Sequence, residues 1–168
     1  FAFNERTFSL LALLGGHVAD LLQSDKRALQ LESLDAQHFS QHLKRARLDA
    51  EQHELPGSLI FIELADNNEL VLKALQDSQR GLDLQLQLHN NRGHIGVMVL
   101  LPLTDAQGVR GYEKRLQYLL GERFGQGVDL QSLQARVFYH DLDPTGQSAG
   151  LHDFLYIECG LNDQQMAL

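Results

Sequence analysis

Arg80-Gly81-Leu82-Asp83 sets a guanidinium and a carboxylate three residues apart, and the two groups serve one kind of ligand. A guanidinium offers coplanar N–H donors to a phosphate or to the O6 and N7 edge of a purine, and its flat face stacks on a base. A carboxylate accepts from a purine's ring and amino N–H groups. A second arginine, Arg115 in GYEKRLQYLL, has the planar fork suited to another phosphate or base, a task lysine would serve poorly. The same tetrad is also what a surface ion pair worth about 0 to 1 kcal/mol looks like. With ten arginines and thirteen aspartates in the chain, roughly one R-x-x-D is expected by chance, so its surroundings must decide.

Those surroundings are a hairpin. Leu82, Leu84, Leu86 and Leu88 alternate with Asp83, Gln85, Gln87 and His89, the period of two of a half-buried strand. Ile95 to Leu101 is a more continuous apolar strand, and Asn90-Asn91-Arg92-Gly93 between them has turn chemistry. The tetrad therefore stands where a helix hands over to an edge of sheet. After the hairpin, a helix over 106–124 turns Val109, Tyr112, Leu116, Leu119 and Leu120 inward. Arg115 lies about 100° from Leu116 and projects from the flank of that face toward the hairpin's opening strand. Arg110 is five positions back, roughly 140° away, and is left out of the site. Arg92 is read as a solvated turn residue, and Gln79, Gly81 and Leu82 as neighbours through their backbone only.

The rest of the chain must hold these groups in place. Phe8, Leu11, Leu14, Val18, Leu21 and Leu22 predict a long N-terminal helix from Thr7 to about Gln23, and the charged stretch 24–33 a connector. A second helix spans about 35–53, stopped by Pro56-Gly57, and Ser58 to Leu64 is a short strand apolar on both faces. Asp66-Asn67-Asn68 caps a short helix ending near Gln79. Beyond the Arg115 helix come a strand over 135–140, a tight turn at Asp143-Pro144-Thr145-Gly146 and a last helix over 151–159, capped by Ser148. The expected architecture is α+β, a mixed sheet flanked by helices and preceded by the long N-terminal helix. The boundary falls between 1–33 and 34–168.

Composition narrows the function. The 168 residues are 43% apolar and 21% charged, ordinary for a globular domain, and the formal charge of -8 argues against a broad surface that tracks duplex phosphates. A small anionic ligand needs only two or three placed arginines. Cys159 is the single cysteine and is read as a buried apolar residue. His38 and His42 share a helix face, but no acidic or cysteine ligand completes a metal site beside them. No stretch reaches the roughly 18 apolar residues of a membrane span. The chain opens on Phe1-Ala2-Phe3 and is read as a piece of a longer protein.

An R-x-x-D tetrad before a two-stranded hairpin, in this element order, resembles the GGDEF domain of diguanylate cyclases over about residues 35–163. The strand ending at Pro102 followed by Thr104-Asp105, and the closing HDFLYIECGLND, extend the resemblance. In that family the tetrad is an inhibitory site for cyclic di-GMP. The departures carry as much information. Where the catalytic turn should follow, this chain has His89-Asn90-Asn91-Arg92-Gly93, with no carboxylate for Mg²⁺, and the first strand ends in Glu63-Leu64-Ala65-Asp66 without the usual D-x-D-x-F-K. Joining two nucleoside triphosphates requires metal carboxylates and cationic clamps on the triphosphates. None is recognisable, so no catalytic residue, metal or cofactor is assigned.

Asn4 to Leu22 looks like the last helix of a GAF domain feeding a connector. A GAF domain joined to a degenerate GGDEF domain that keeps R-x-x-D resembles the PelD family of cyclic di-GMP receptors in Pel exopolysaccharide secretion. That resemblance implies a noncatalytic receptor binding cyclic di-GMP through Arg80, Asp83 and Arg115, the last matching the family's second arginine. It also implies an upstream GAF-like domain, partners in a membrane-associated secretion complex, no DNA or RNA, and a location on the cytoplasmic face of the inner membrane. The alternative is a structural GGDEF-like scaffold that contacts protein without nucleotide.

Overall fold

A computed structural model describes residues 34–142, 148–162 and 165. The long N-terminal helix, the GAF-like segment and the turn at 143–146 lie outside the described residues. Contacts divide the chain into Phe1–Gln37 and His38–Leu168; of the first unit residues 34–37 are described, and they are helical. The second unit opens with helical residues 38–53 (α1), which bury Phe39, Leu43 and Ala50.

The elements then run β1 (Gly57–Leu64), α2 (Glu69–Ser78), β2 (Leu84–His89), β3 (Ile95–Pro102), α3 (Ala106–Phe124), β4 (Arg136–Asp141) and α4 (Ser148–Asp153), which widens into a π-helical turn over Phe154–Glu158. The α+β class is as expected. The sheet, however, is antiparallel at every pairing rather than mixed, in the order β2-β3-β1-β4. Its connectivity explains the difference. The β1-α2-β2 and β3-α3-β4 units each join strands of like direction, but they interleave, so the strands each crossover joins are never neighbours.

β1 is buried along its whole length, as its apolar run predicts. Ile60, Ile62 and Leu64 share one face with Val97, Val99 and Leu101 of β3, where Val71, Ala74 and Leu75 of α2 and Tyr112, Leu116 and Leu120 of α3 close the core. On the other face Phe61 stacks on Phe138, with ring centroids 6.3 Å apart, and His140 of β4 stacks on Phe154 at 5.2 Å. Asn68 caps α2 through Leu70 and Val71, and Asp105 caps α3 through Gln107 and Gly108.

Glu63 breaks the apolar run of β1 and is 1% exposed. Its Oε1 accepts from Asn90 Nδ2 at 2.7 Å and Arg92 Nε at 3.0 Å, with His94 Nδ1 at 2.8 Å, while Oε2 faces Arg136 Nη2 at 2.5 Å. Arg92 is thus no solvated turn residue. It pairs with Glu63 and donates through Nη2 to Glu158 O at 2.7 Å, while Asn91 N donates to Gly160 O at 2.8 Å. The hairpin turn is fastened to β1 and to the C-terminal segment, and Arg136 of β4 meets it at the shared Glu63. Spacing gave no hint of this, because the partners are far apart in sequence. Cys159 lies buried beside this cluster, and burial pushes its thiol up.

Burial by itself would raise the Glu63 carboxyl, but the bonds from His94, Asn90 and Arg92 outweigh it and hold the group at about 2, below its ordinary 4.5. A depressed folded-state value stabilises the fold above the unfolded value and loses that effect as pH falls through the folded one. Urea unfolding at neutral pH should find Glu63→Gln less stable than the parent by on the order of 3 kcal/mol. That gap should narrow as pH falls from 4.5 to about 2; a gap constant across the window would contradict the assignment.

Candidate nucleotide-binding site

The site begins where α2 stops. Val71, Ala74 and Leu75 bury one face of this helix, and Gln79 leaves it in an extended conformation, with φ -64° and ψ 133°. The chain then closes on itself. Asp83 N donates to Arg80 O at 3.1 Å, and Arg80 N donates to Asp83 Oδ2 at 2.9 Å. Gln79 Nε2 donates to Asp83 O at 2.6 Å, and Gln85 Nε2 reaches back to Leu75 O at 2.6 Å. The Asp83 side chain is therefore buried inside the turn it stabilises, while Leu82, expected on the inward row, is 67% exposed. Alternation sets in only at Leu84, where pairing with β3 begins.

The tetrad is not an Arg80–Asp83 ion pair. Arg80 meets Asp83 through its main-chain N–H, and the cation facing the carboxylate is Arg115, whose Nη2 lies 3.6 Å from Asp83 Oδ2. α3 supplies the approach. Tyr112, Leu116 and Leu120 are buried in the core, and Arg115 leans from the flank of that row with its Cζ 5.6 Å from the Tyr112 ring centroid. The Arg115 side chain is 27% exposed, yet its Nε and Nη1 atoms are buried and have no hydrogen-bond partner. Burial, and then the nearby Arg80 charge, lower the Arg115 pKa; Asp83 and Tyr112 act the other way.

Structure thus brings the three sequence-predicted residues to one place, where the end of α2, the start of β2 and the flank of α3 converge. Two guanidinium charges stand near one carboxylate, a local excess of positive charge in a chain of formal charge -8. Buried donors without acceptors cost free energy until something supplies an acceptor. An anionic ligand with acceptor edges, such as a nucleotide, has that chemistry. Arg110 is an exposed residue of α3. Sequence reasoning missed the Gln79 and Gln85 side chains, which tie the turn down. Their amides are generic in type, and only the closeness of α2 to β2 gives them a role.

Residues 35–158 match the family model of the PelD GGDEF domain. The chain belongs to the PelD family. It is 56% identical to the solved PelD 158-CT from Pseudomonas aeruginosa PAO1, with a TM-score of 0.76, covering 96% of this chain and 57% of that one. PelD 156-455 from Pseudomonas aeruginosa PA14 in complex with c-di-GMP is 52% identical, with a TM-score of 0.77, covering 99% and 57%. The apo form of that PA14 protein is also 52% identical, with a TM-score of 0.75, covering 96% and 56%. This chain thus spans a little over half the length of those relatives. No curated protein matches it.

Because Asp83 accepts from Arg80 N, its removal should loosen the turn before it touches the core. Asp83→Ala should speed amide exchange at Arg80 and lower stability by about 1 kcal/mol, whereas Asp83→Asn, which keeps an acceptor, should stay closer to the parent. Equal exchange rates in the two variants would show that the carboxamide cannot keep the turn closed.

Proposed function

We propose that this chain is a noncatalytic receptor for cyclic di-GMP, with Arg80, Asp83 and Arg115 as the binding residues. The observation that carries the reading is the pair of buried, unpartnered donors on Arg115, held beside Asp83 and near Arg80. Cyclic di-GMP brings two phosphates and two guanine edges. A guanine O6 and N7, or a phosphate, fits a guanidinium fork, and the guanine N1 and N2 hydrogens fit a carboxylate. A solved PelD relative at 52% identity holds this dinucleotide, which supports the same ligand here. The noncatalytic part of the reading draws support from the hairpin turn, where Arg92 is tied to Glu63 and no carboxylate of the turn stands ready for a metal.

The wider role follows from family membership. The receptor would convert cyclic di-GMP binding into altered contacts with a membrane-associated Pel exopolysaccharide secretion complex, working on the cytoplasmic face of the inner membrane with a GAF-like domain upstream. Among the described residues no helix is long and apolar enough to cross a membrane, so this part of the protein would reach the membrane through other segments.

Calorimetric titration with cyclic di-GMP tests the reading. Arg80→Ala and Arg115→Lys should each weaken binding by about 1.5 to 3 kcal/mol, the worth of a charge-assisted contact, while Lys114→Ala, changed one residue away, should bind like the parent. Lysine keeps the charge at 115 but loses the fork. Parent-like affinity in a folded Arg115→Lys protein would remove Arg115 from the site, and failure of the parent to bind would favour a structural scaffold.

A further inference from the structure

Tyr112 shares the buried row of α3 with Leu116 and Leu120. A tyrosine there takes a hydroxyl into the interior, which costs free energy unless the hydroxyl finds a partner. Its side chain is 1% exposed. The partner is Ser78, whose Oγ lies 3.3 Å from the Tyr112 hydroxyl and also donates to Leu75 O at 2.6 Å. Ser78 is the last residue of α2, two residues before Arg80. The other end of the contact is Arg115, whose guanidinium carbon lies over the Tyr112 ring at 5.6 Å from its centroid. A single side chain therefore touches both the segment that leads into the tetrad and the second arginine.

We propose that Tyr112 is a positioning residue of the cyclic di-GMP site, holding the Arg115 guanidinium through a cation–π contact that leaves its Nε and Nη1 donors unpaired for the ligand. The proposal rests on the receptor reading above. A guanidinium over an aromatic ring is attracted by the ring's negative face, and a partly desolvated contact is the stronger for it. That attraction takes up no hydrogen-bond acceptor, and Nε and Nη1 have no partner. Asp83 faces Nη2, the ring lies against the guanidinium carbon, and two unpartnered nitrogens are left for the dinucleotide. The hydroxyl bond to Ser78 fixes the ring relative to the end of α2, and with it the spacing between the two arginines.

The test separates ring electronics from packing. Tyr112 is replaced in the purified protein by phenylalanine, then by phenylalanines carrying one to three ring fluorines, which change shape little but drain the negative face. Calorimetry with cyclic di-GMP should find Tyr112→Phe within about threefold of the parent, and three fluorines should weaken binding about tenfold further. The urea midpoint without ligand should not follow the fluorine count. In an Arg115→Ala background the affinity should be independent of fluorine, because Tyr112 acts through Arg115. A parent that binds with fluorine-independent affinity, or the same fluorine dependence without Arg115, overturns the Tyr112 assignment alone. A parent that does not bind overturns the receptor reading beneath it.

Discussion

Asp83 and Arg115 meet where α2 ends and β2 begins, and the arrangement of the site depends on how that pair is shared out. One carboxylate oxygen does two tasks, accepting from the Arg80 N–H that closes the turn and facing the Arg115 guanidinium. The turn consequently fixes the carboxylate before any ligand arrives, and the carboxylate fixes one nitrogen of Arg115. What remains of that fork is buried and unpaired. Such donors cost free energy while they lack acceptors, and an acceptor-bearing ligand would relieve that cost. These donors are what the proposed ligand would meet.

The far end of the same hairpin shows the contrast. At Glu63 the buried carboxylate collects Asn90, Arg92, His94 and Arg136 from the turn and from β4, and Arg92 goes on to the carbonyls that end the π-helical turn. Here the charges are turned toward one another. Glu63 is the partner they share, so the cluster ties the turn to β1 through that one carboxylate. One hairpin thus carries a site with unpaired buried donors at its start and an internally paired cluster at its tip.

Much of this was legible in the sequence. Period-two alternation located β2, the apolar run located β1, and capping by Asn68 and Asp105 placed α2 and α3, whose predicted span of 106–124 is the one found. The grouping of Arg80, Asp83 and Arg115 was expected from the family resemblance, and the flank position of Arg115 on its helix was consistent with it. Direction of pairing was not foreseeable from order alone, since interleaved crossovers and a mixed sheet share one element order. Arg92 was misread for a similar reason. A polar residue in a turn is solvated by default, and only the tertiary approach of Glu63 overrides that. The role of Tyr112 was hidden by its own apolar periodicity, which a purely structural residue would share.

The central claim is that the unpaired Arg115 donors are the ligand's contact. Nitrogen-15 NMR of the arginine Nε–H groups reads this directly during addition of cyclic di-GMP. The Arg115 Nε–H signal should shift and its exchange with water should slow in proportion to occupancy, while that of Arg92, already bonded to Glu63, should hold its position. If cyclic di-GMP bound and the Arg115 signal kept its free-state shift and exchange rate, the ligand would lie elsewhere and the account of this site would be wrong.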